Sequence, residues 1–229
     1  MSVVLTWLGH ATWKIETGGK TILLDPFLSQ SPTAAVQPAD VDADLILVSH
    51  GHFDHVCDVA EIANRCDAMV VAIYEIAEWF AKNHDVKNTT GMNIGGSVRF
   101  PYMTAKMTPA VHSSQLPDGS YGGVAAGFLV TVENKNIYFA CDTALFSDMK
   151  LIADVDVAVL PIGDLFTMGP EDSLTAIEWI RPKSVLPTHY NTWPPIEQNA
   201  DQWADSVKAK TEATPVVLKP GESFVIDEH

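Results

Sequence analysis

Short β-branched runs closed by turn residues recur along nearly the whole chain, and this rhythm limits the fold more than any other feature. They cover residues 3–8, 12–16, 21–24, 45–49, 69–73, 125–132, 137–140, 155–161, 184–187 and 216–218. Most end in Gly, Asp, Asn or Pro, which is how strands read. Helical periodicity lies between them. Residues 55–65 place Val56, Val59, Ala60 and Ala63 on one face, and residues 74–83 do the same with Ile76, Ala77, Phe80 and Ala81. Two further helices are expected over 173–180, stopped by Pro182, and over 197–210, entered after Pro194-Pro195. The first third reads as a β-meander turned at Thr17-Gly18-Gly19, whereas strands and helices alternate later. That mixture predicts an α/β chain with two sheets and helices outside them, not a pure sandwich or one parallel sheet. Trp7, Trp13, Trp79, Trp179 and most Phe residues fall in periodic apolar segments and are read as core.

Composition narrows the class. A length of 229 residues favours one domain over 1–229, large enough to fold without a disulfide or a structural metal. Fourteen Lys and Arg against 29 Asp and Glu give a net charge of −15, which argues against nucleic acid or an anionic membrane surface as partner. Three cysteines, an odd number, fit a reducing compartment. The opening segment has no basic n-region, and no apolar run nears the roughly 18 residues of a membrane span. A cytoplasmic protein acting on a small molecule is expected, and a homo-oligomer is compatible with this.

The chemistry is concentrated in His50-Gly51-His52-Phe53-Asp54-His55, directly after the run at 45–49. Random placement of the same residues would produce this pattern in on the order of one chain in a thousand. On an extended segment His50 and His52 point to one side and can share a metal. Asp54 and His55 sit where the chain turns into a helix, which swings them toward a second position about 3.5–4 Å away. Asp54 as a plain helix cap explains only one of the four residues. Three later residues at strand ends qualify as further ligands: His112, Asp142 and His189. Taken alone, each also reads as a surface histidine or a turn former; the motif favours the ligand reading.

Here the sequence resembles the metallo-β-lactamase superfamily, and within it the small bacterial metal-dependent hydrolases of unassigned substrate, relatives of ascorbate-6-phosphate lactonase. Besides the motif, the likeness is carried by Trp7-Leu8-Gly9-His10-Ala11, Leu24-Asp25-Pro26-Phe27, Gly91-Met92-Asn93-Ile94-Gly95-Gly96, Pro161-Ile162-Gly163-Asp164, Phe166-Thr167-Met168-Gly169-Pro170-Glu171-Asp172 and Thr188-His189-Tyr190-Asn191-Thr192. The resemblance implies an αββα four-layer sandwich of two mixed sheets. It also implies that His50, His52 and His112 hold one metal, that Asp54, His55 and His189 hold another, and that Asp142 bridges. One departure stands out: Cys141 occupies the place where glycine is expected before the bridging aspartate. Cys141 reads either as a soft ligand or, facing away from Asp142 on its strand, as a buried inert thiol, and the second is favoured. Cys57 and Cys66 read as packing.

Supporting roles are open to four residues. Asp25 either holds the 50–55 loop from behind or forms a turn before Pro26. His10 lines the site or is a packed histidine. Asp164 and Tyr190, in loops beside ligand-bearing strands, either contact substrate or are turn and surface residues. His84 and His229 are assigned nothing. The glycine-rich 91–96 segment lacks phosphate-loop and dinucleotide spacing and reads as a flap or tight turn.

The resulting expectation is a hydrolase with two divalent cations, Zn²⁺ suiting the ligands best while Mn²⁺, Fe²⁺ and Ni²⁺ are admitted. Such a pair yields hydroxide at neutral pH, which Asp54 would orient, for attack on a small ester, lactone or thioester. The rivals are a phosphodiesterase on the same residues, a di-iron redox centre and a non-catalytic metal-binding module. A di-iron centre on this fold typically has Glu where this chain has His52.

Overall fold

The computed structural model describes residues 2–226; His229 lies outside the described residues. Strands β1 (Val3–Gly9), β2 (Thr12–Thr17) and β3 (Lys20–Leu24) form the expected meander, and β4 (Leu45–Leu47), β5 (Met69–Ile73) and β6 (Thr89–Met92) extend it in parallel. The β2–β3 turn needs Gly18 (φ +53°) and Gly19 (φ +73°), the left-handed pair that matches the twist of a two-residue hairpin. In the second sheet, β7 (Ser97–Phe100), β8 (Met103–Pro109), β9 (Ala126–Val132) and β10 (Lys135–Phe139) run antiparallel in succession. They are followed in parallel by β11 (Val157–Pro161), β12 (Ser184–Thr188) and β13 (Thr214–Pro215). Strand β14 (Ser223–Ile226) returns to the first sheet beside β1, so each sheet has seven strands.

Parallel neighbours need crossovers, and helices supply most of them. α1 (Phe53–Val56) and α2 (Val59–Cys66) join β4 to β5, α3 (Tyr74–Asn83) joins β5 to β6, α4 (Pro170–Ile180) joins β11 to β12, and α5 (Ala200–Lys210) joins β12 to β13. α2 and α3 pack on the first sheet, α4 and α5 on the second. The inner faces meet through Trp13 of β2, whose ring touches Phe139 of β10 and whose Nε1 donates to Thr188 Oγ1 of β12 at 3.0 Å. Strand β11 is buried along its whole length, as expected of a parallel strand covered on both faces. Trp7 and Trp13 are core; Trp79 and Trp179 are half-buried on helix faces.

Four local readings change. The single helix expected over 55–65 is interrupted at 57–58, where buried Asp58 bonds the segment after β3 instead: its N–H goes to Pro26 O, and its carboxylate accepts Leu28 N–H (2.6 Å), Ser29 N–H (3.0 Å) and Ser29 Oγ–H (2.5 Å). α4 begins earlier, with Pro170 in its first turn, and α5 later, where the Asn199 side chain caps Gln202 N–H at 3.0 Å. Residues 216–218 lie outside β13, although Val216 N–H still bonds Val185 O at 2.9 Å. Of the 91–96 segment, Gly91 and Met92 end β6 and residues 93–96 form a tight turn: Gly95 sits at φ +85°, and the turn is tied to β8 by Gly95 N–H to Met107 O and Met107 N–H to Gly96 O.

Candidate metal centre

The side chains singled out in the sequence gather where strands of both sheets end. His10 lies in the β1–β2 turn, Asp25 follows β3, His50–His55 follow β4, Asp142 follows β10 and His189 follows β12. Four residues there leave their strands in the left-handed region: His10 (φ +50°), Asp25 (+45°), Cys141 (+55°) and His189 (+55°). That conformation costs an L-residue about 1–2 kcal/mol. Non-glycine residues held there tend to cluster at functional sites, where the surrounding structure over-determines them.

Two groups of donors result. In the first, His50 Nε2 lies 2.9 Å and His112 Nε2 3.3 Å from His52 Nδ1. Two ligands each ~2.1 Å from a tetrahedral ion are about 3.4 Å apart, so this spacing suits a shared cation. In the second group, Asp54 Oδ2 lies 3.6 Å from His55 Nε2 and 3.8 Å from His189 Nε2. Asp142 Oδ2 stands between the groups, 3.0 Å from His189 Nε2, 3.3 Å from His55 Nε2, 3.7 Å from His112 Nε2 and 3.9 Å from His50 Nε2.

Burial and charge divide the histidines. Burial pushes His50, His52 and His112 below the usual imidazole range, so their lone pairs are free. For His55 and His189 burial is outweighed by Asp142 and Asp54, which push His55 well up and His189 up to about 9. The reverse holds for Asp142, kept well below the usual carboxylate range by His189 and His55 despite its burial.

The donor set fits divalent cations by a structural test. Buried His55 Nε2, His189 Nε2 and Asp142 Oδ1 have no hydrogen-bond partner. Although His189 Nε2 and Asp142 Oδ2 are only 3.0 Å apart, they are not aligned as donor and acceptor. An unsatisfied buried polar atom costs about 1–3 kcal/mol, which a cation placed among these atoms removes.

Outer partners orient the rings. The Asp25 carboxylate is fully buried; it accepts Ser49 N–H (2.8 Å), Ser49 Oγ–H (2.5 Å) and His55 Nδ1–H (2.9 Å). With its proton on Asp25, Ser49 Oγ accepts from His50 Nδ1 at 3.0 Å. Both arrangements leave the Nε2 atoms turned to the cluster. Ser113 Oγ meets His52 Nε2 at 3.2 Å, and Ser114 Oγ accepts Gly51 N–H at 3.0 Å. His10 Nε2 lies 2.9 Å from Asp54 Oδ2 and its Nδ1 2.7 Å from Thr192 Oγ1. Ser49, Ser113 and Thr192 were not singled out in the sequence. Each lies within three residues of a candidate ligand, the only signal available for them.

Asp164 and Tyr190 have partners other than the clustered side chains. Asp164 is exposed in a left-handed turn (φ +61°) closed by Thr167 N–H to its own carbonyl, which is the turn-forming role. Tyr190 stacks on Trp7 with ring centroids 5.2 Å apart and lines a surface depression with Asn199 and Asp201. His84 packs on Trp79. Cys141 corrects the expectation of strand alternation: its left-handed φ means that the chain has already left the extended conformation there. This is the physical reason for a glycine at that place. The thiol is buried, lies 3.7 Å from Phe139 O, and is pushed well up by burial and by Asp25 and Asp142, so it remains protonated.

A family model described as a beta-lactamase superfamily domain matches residues 4–189. The chain belongs to the metallo-β-lactamase superfamily. A metal-dependent hydrolase (UPF0173) of Pelotomaculum thermopropionicum is 46% identical over 227 residues, covering 96% of this chain and 98% of the relative. Among solved structures, Igni18, a metallo hydrolase from Ignicoccus hospitalis, is 33% identical with a TM-score of 0.89 over the full length of both chains. The metallo-β-lactamase fold protein YhfI from Bacillus subtilis shares the fold, with a TM-score of 0.77 at 12% identity, covering 98% of this chain and all of YhfI. Within the superfamily the chain is thus a metal-dependent hydrolase, with the two mixed sheets and helices expected from the sequence. No helix among the described residues is long and apolar enough to cross a membrane.

Proposed function

We propose that this hydrolase uses two divalent cations, Zn²⁺ by preference, to cleave a small ester, lactone or thioester. His50, His52 and His112 hold one ion, Asp54, His55 and His189 the other, and Asp142 bridges. The observation that carries this reading is the Asp142 Oδ2 atom, within 3.0–3.9 Å of ring nitrogens from both groups. When bound, such a pair of cations lowers the pKa of a shared water toward 7 and polarises the scissile bond. The protein's own part is positional. Asp54, its side chain 20% exposed, presents a carboxylate at the solvent side of the cluster, where it would orient the attacking water. Asp25 and Ser49 keep the rings of His55 and His50 from rotating. Three unpaired cysteines support a reducing, cytoplasmic setting.

Substrate class follows from where cations are missing. No Lys or Arg occurs between Lys20 and Arg65, Lys106 and Lys135, Lys150 and Arg181, or Lys183 and Lys208, stretches that carry Asp25, His50–His55, His112 and His189. Lys20 pairs with Asp44 and Arg65 with Asp42, both on the surface, whereas Asp54 and Asp142 pair with histidines. Phe53, Val111 and Phe166 are exposed beside His52, His112 and the loop that bonds Thr143. Enzymes for nucleotides normally supply Arg or Lys to phosphate oxygens. Esters, lactones or thioesters should therefore show kcat/KM at least tenfold above cyclic or dinucleotide phosphodiesters on the metal-loaded enzyme. A nucleotide substrate surpassing every acyl substrate tenfold would overturn the assignment.

A further inference from the structure

The β1–β2 turn is fixed more tightly than a hairpin turn requires, and all of its restraints converge on His10. The residue is fully buried at φ +50°, a backbone state that a bulky side chain adopts only when its surroundings enforce it. Its carbonyl oxygen accepts three hydrogen bonds: Trp7 Nε1–H at 2.9 Å, Thr188 Oγ1–H at 2.9 Å and His189 N–H at 3.0 Å. The last two come from the other sheet, so the turn is riveted to the strand end that delivers His189. The imidazole is equally confined, with Phe27 and Trp193 edge-on at 5.4 and 4.9 Å and the His189 ring at 4.1 Å.

Both ring nitrogens have assigned work. Asp54 is an acceptor, so His10 Nε2 carries the proton donated to it at 2.9 Å. Nδ1 then accepts from the Thr192 hydroxyl at 2.7 Å. A nitrogen that carries a proton has no lone pair for a metal, although His10 lies within the donor cluster of Asp54, His55 and His189.

We propose that His10 is a positioning residue: with Thr192 behind it, it fixes the Asp54 carboxylate in the orientation that serves the second cation. The inference rests on the reading of Asp54 as a ligand. It assigns the Thr188–Thr192 segment two tasks, delivering His189 and locking the His10 tautomer.

The test compares His10→Ala, His10→Gln and Thr192→Val by calorimetric titration of the metal-free proteins with Zn²⁺. Removal of an outer partner typically weakens metal binding 10–100-fold. His10→Ala should weaken the second ion by that factor while still saturating at the wild-type stoichiometry. His10→Gln, which retains an N–H near the Nε2 position, should recover most of the loss, and Thr192→Val should fall between. Wild-type affinity in His10→Ala would overturn the proposal. So would the loss of one ion from His10→Ala without rescue by Gln, which would make His10 a ligand. A second arm needs no metal: nitrogen NMR of the metal-free wild type should show His10 as the neutral Nε2–H tautomer, and an Nδ1–H tautomer would contradict the proposal. If wild type binds fewer than two ions while this tautomer is present, the two-ion reading fails and the His10–Asp54 contact stands. Should His10→Ala not fold, the Gln and Val variants and the tautomer decide.

Discussion

Replacement of His189 or His52 by Ala should lower kcat/KM by about 100- to 1,000-fold, the loss of ~3–4 kcal/mol of transition-state stabilisation. Each supplies one nitrogen to a different group, His52 through Nδ1 beside His50 and His112, His189 through Nε2 beside Asp142. Near-UV circular dichroism should be unchanged, because the fold rests on a core spanning both sheets, from Leu5, Trp13 and Ile15 to Phe128, Phe139 and Val159. His84→Ala is the control: its ring packs on Trp79 away from the cluster, and activity should stay within twofold of wild type. If either ligand variant retains wild-type kcat/KM, that residue is not a ligand. If both unfold, the metal is structural, as in small zinc domains.

Asp25 should behave differently, because it joins site and scaffold. Its buried carboxylate accepts three hydrogen bonds from Ser49 and His55, and Asp25→Ala strands all three donors. Breaking such a buried, charge-assisted arrangement from one side costs about 3–5 kcal/mol. Urea unfolding should show that loss together with a 10–100-fold fall in activity. Asp25→Asn tolerates the left-handed backbone (φ +45°) and still accepts one or two of the bonds, so it should recover most of the stability but less of the activity. Equal stability of the Ala variant and wild type would show that Asp25 is only a turn residue.

The gathering of the candidate ligands was legible because its decisive part is contiguous: four of the seven fall within six residues, and extended-chain geometry alone places His50 and His52 together. The rings' supporting partners were not, since Ser49 and Thr192 are ordinary hydroxyls whose roles exist only once β3, β4, β12 and the β1–β2 turn converge. His10 shows the same limit. A single histidine after Gly9 gives no sign that three donors will fix its carbonyl. In the fold, buried strands such as β5 and β11 were evident from their apolar runs, whereas the edge strands β7 and β14, with alternating exposed residues, were missed. The break between α1 and α2 depends on Asp58 bonding residues about thirty positions earlier, which helical periodicity cannot register. Cys141 marks the opposite case. The resemblance identified the unusual residue, and the backbone supplied the reason that glycine is expected there.

The central claim is two cations held by these seven residues, and elemental analysis of the purified protein tests it most directly. Protein loaded with Zn²⁺ and freed of excess metal should carry two ions per chain. A chelator should abolish activity, and readdition of metal should restore it. Protein that carries no metal under any supplementation, yet turns over substrate undiminished by chelation, would contradict the account.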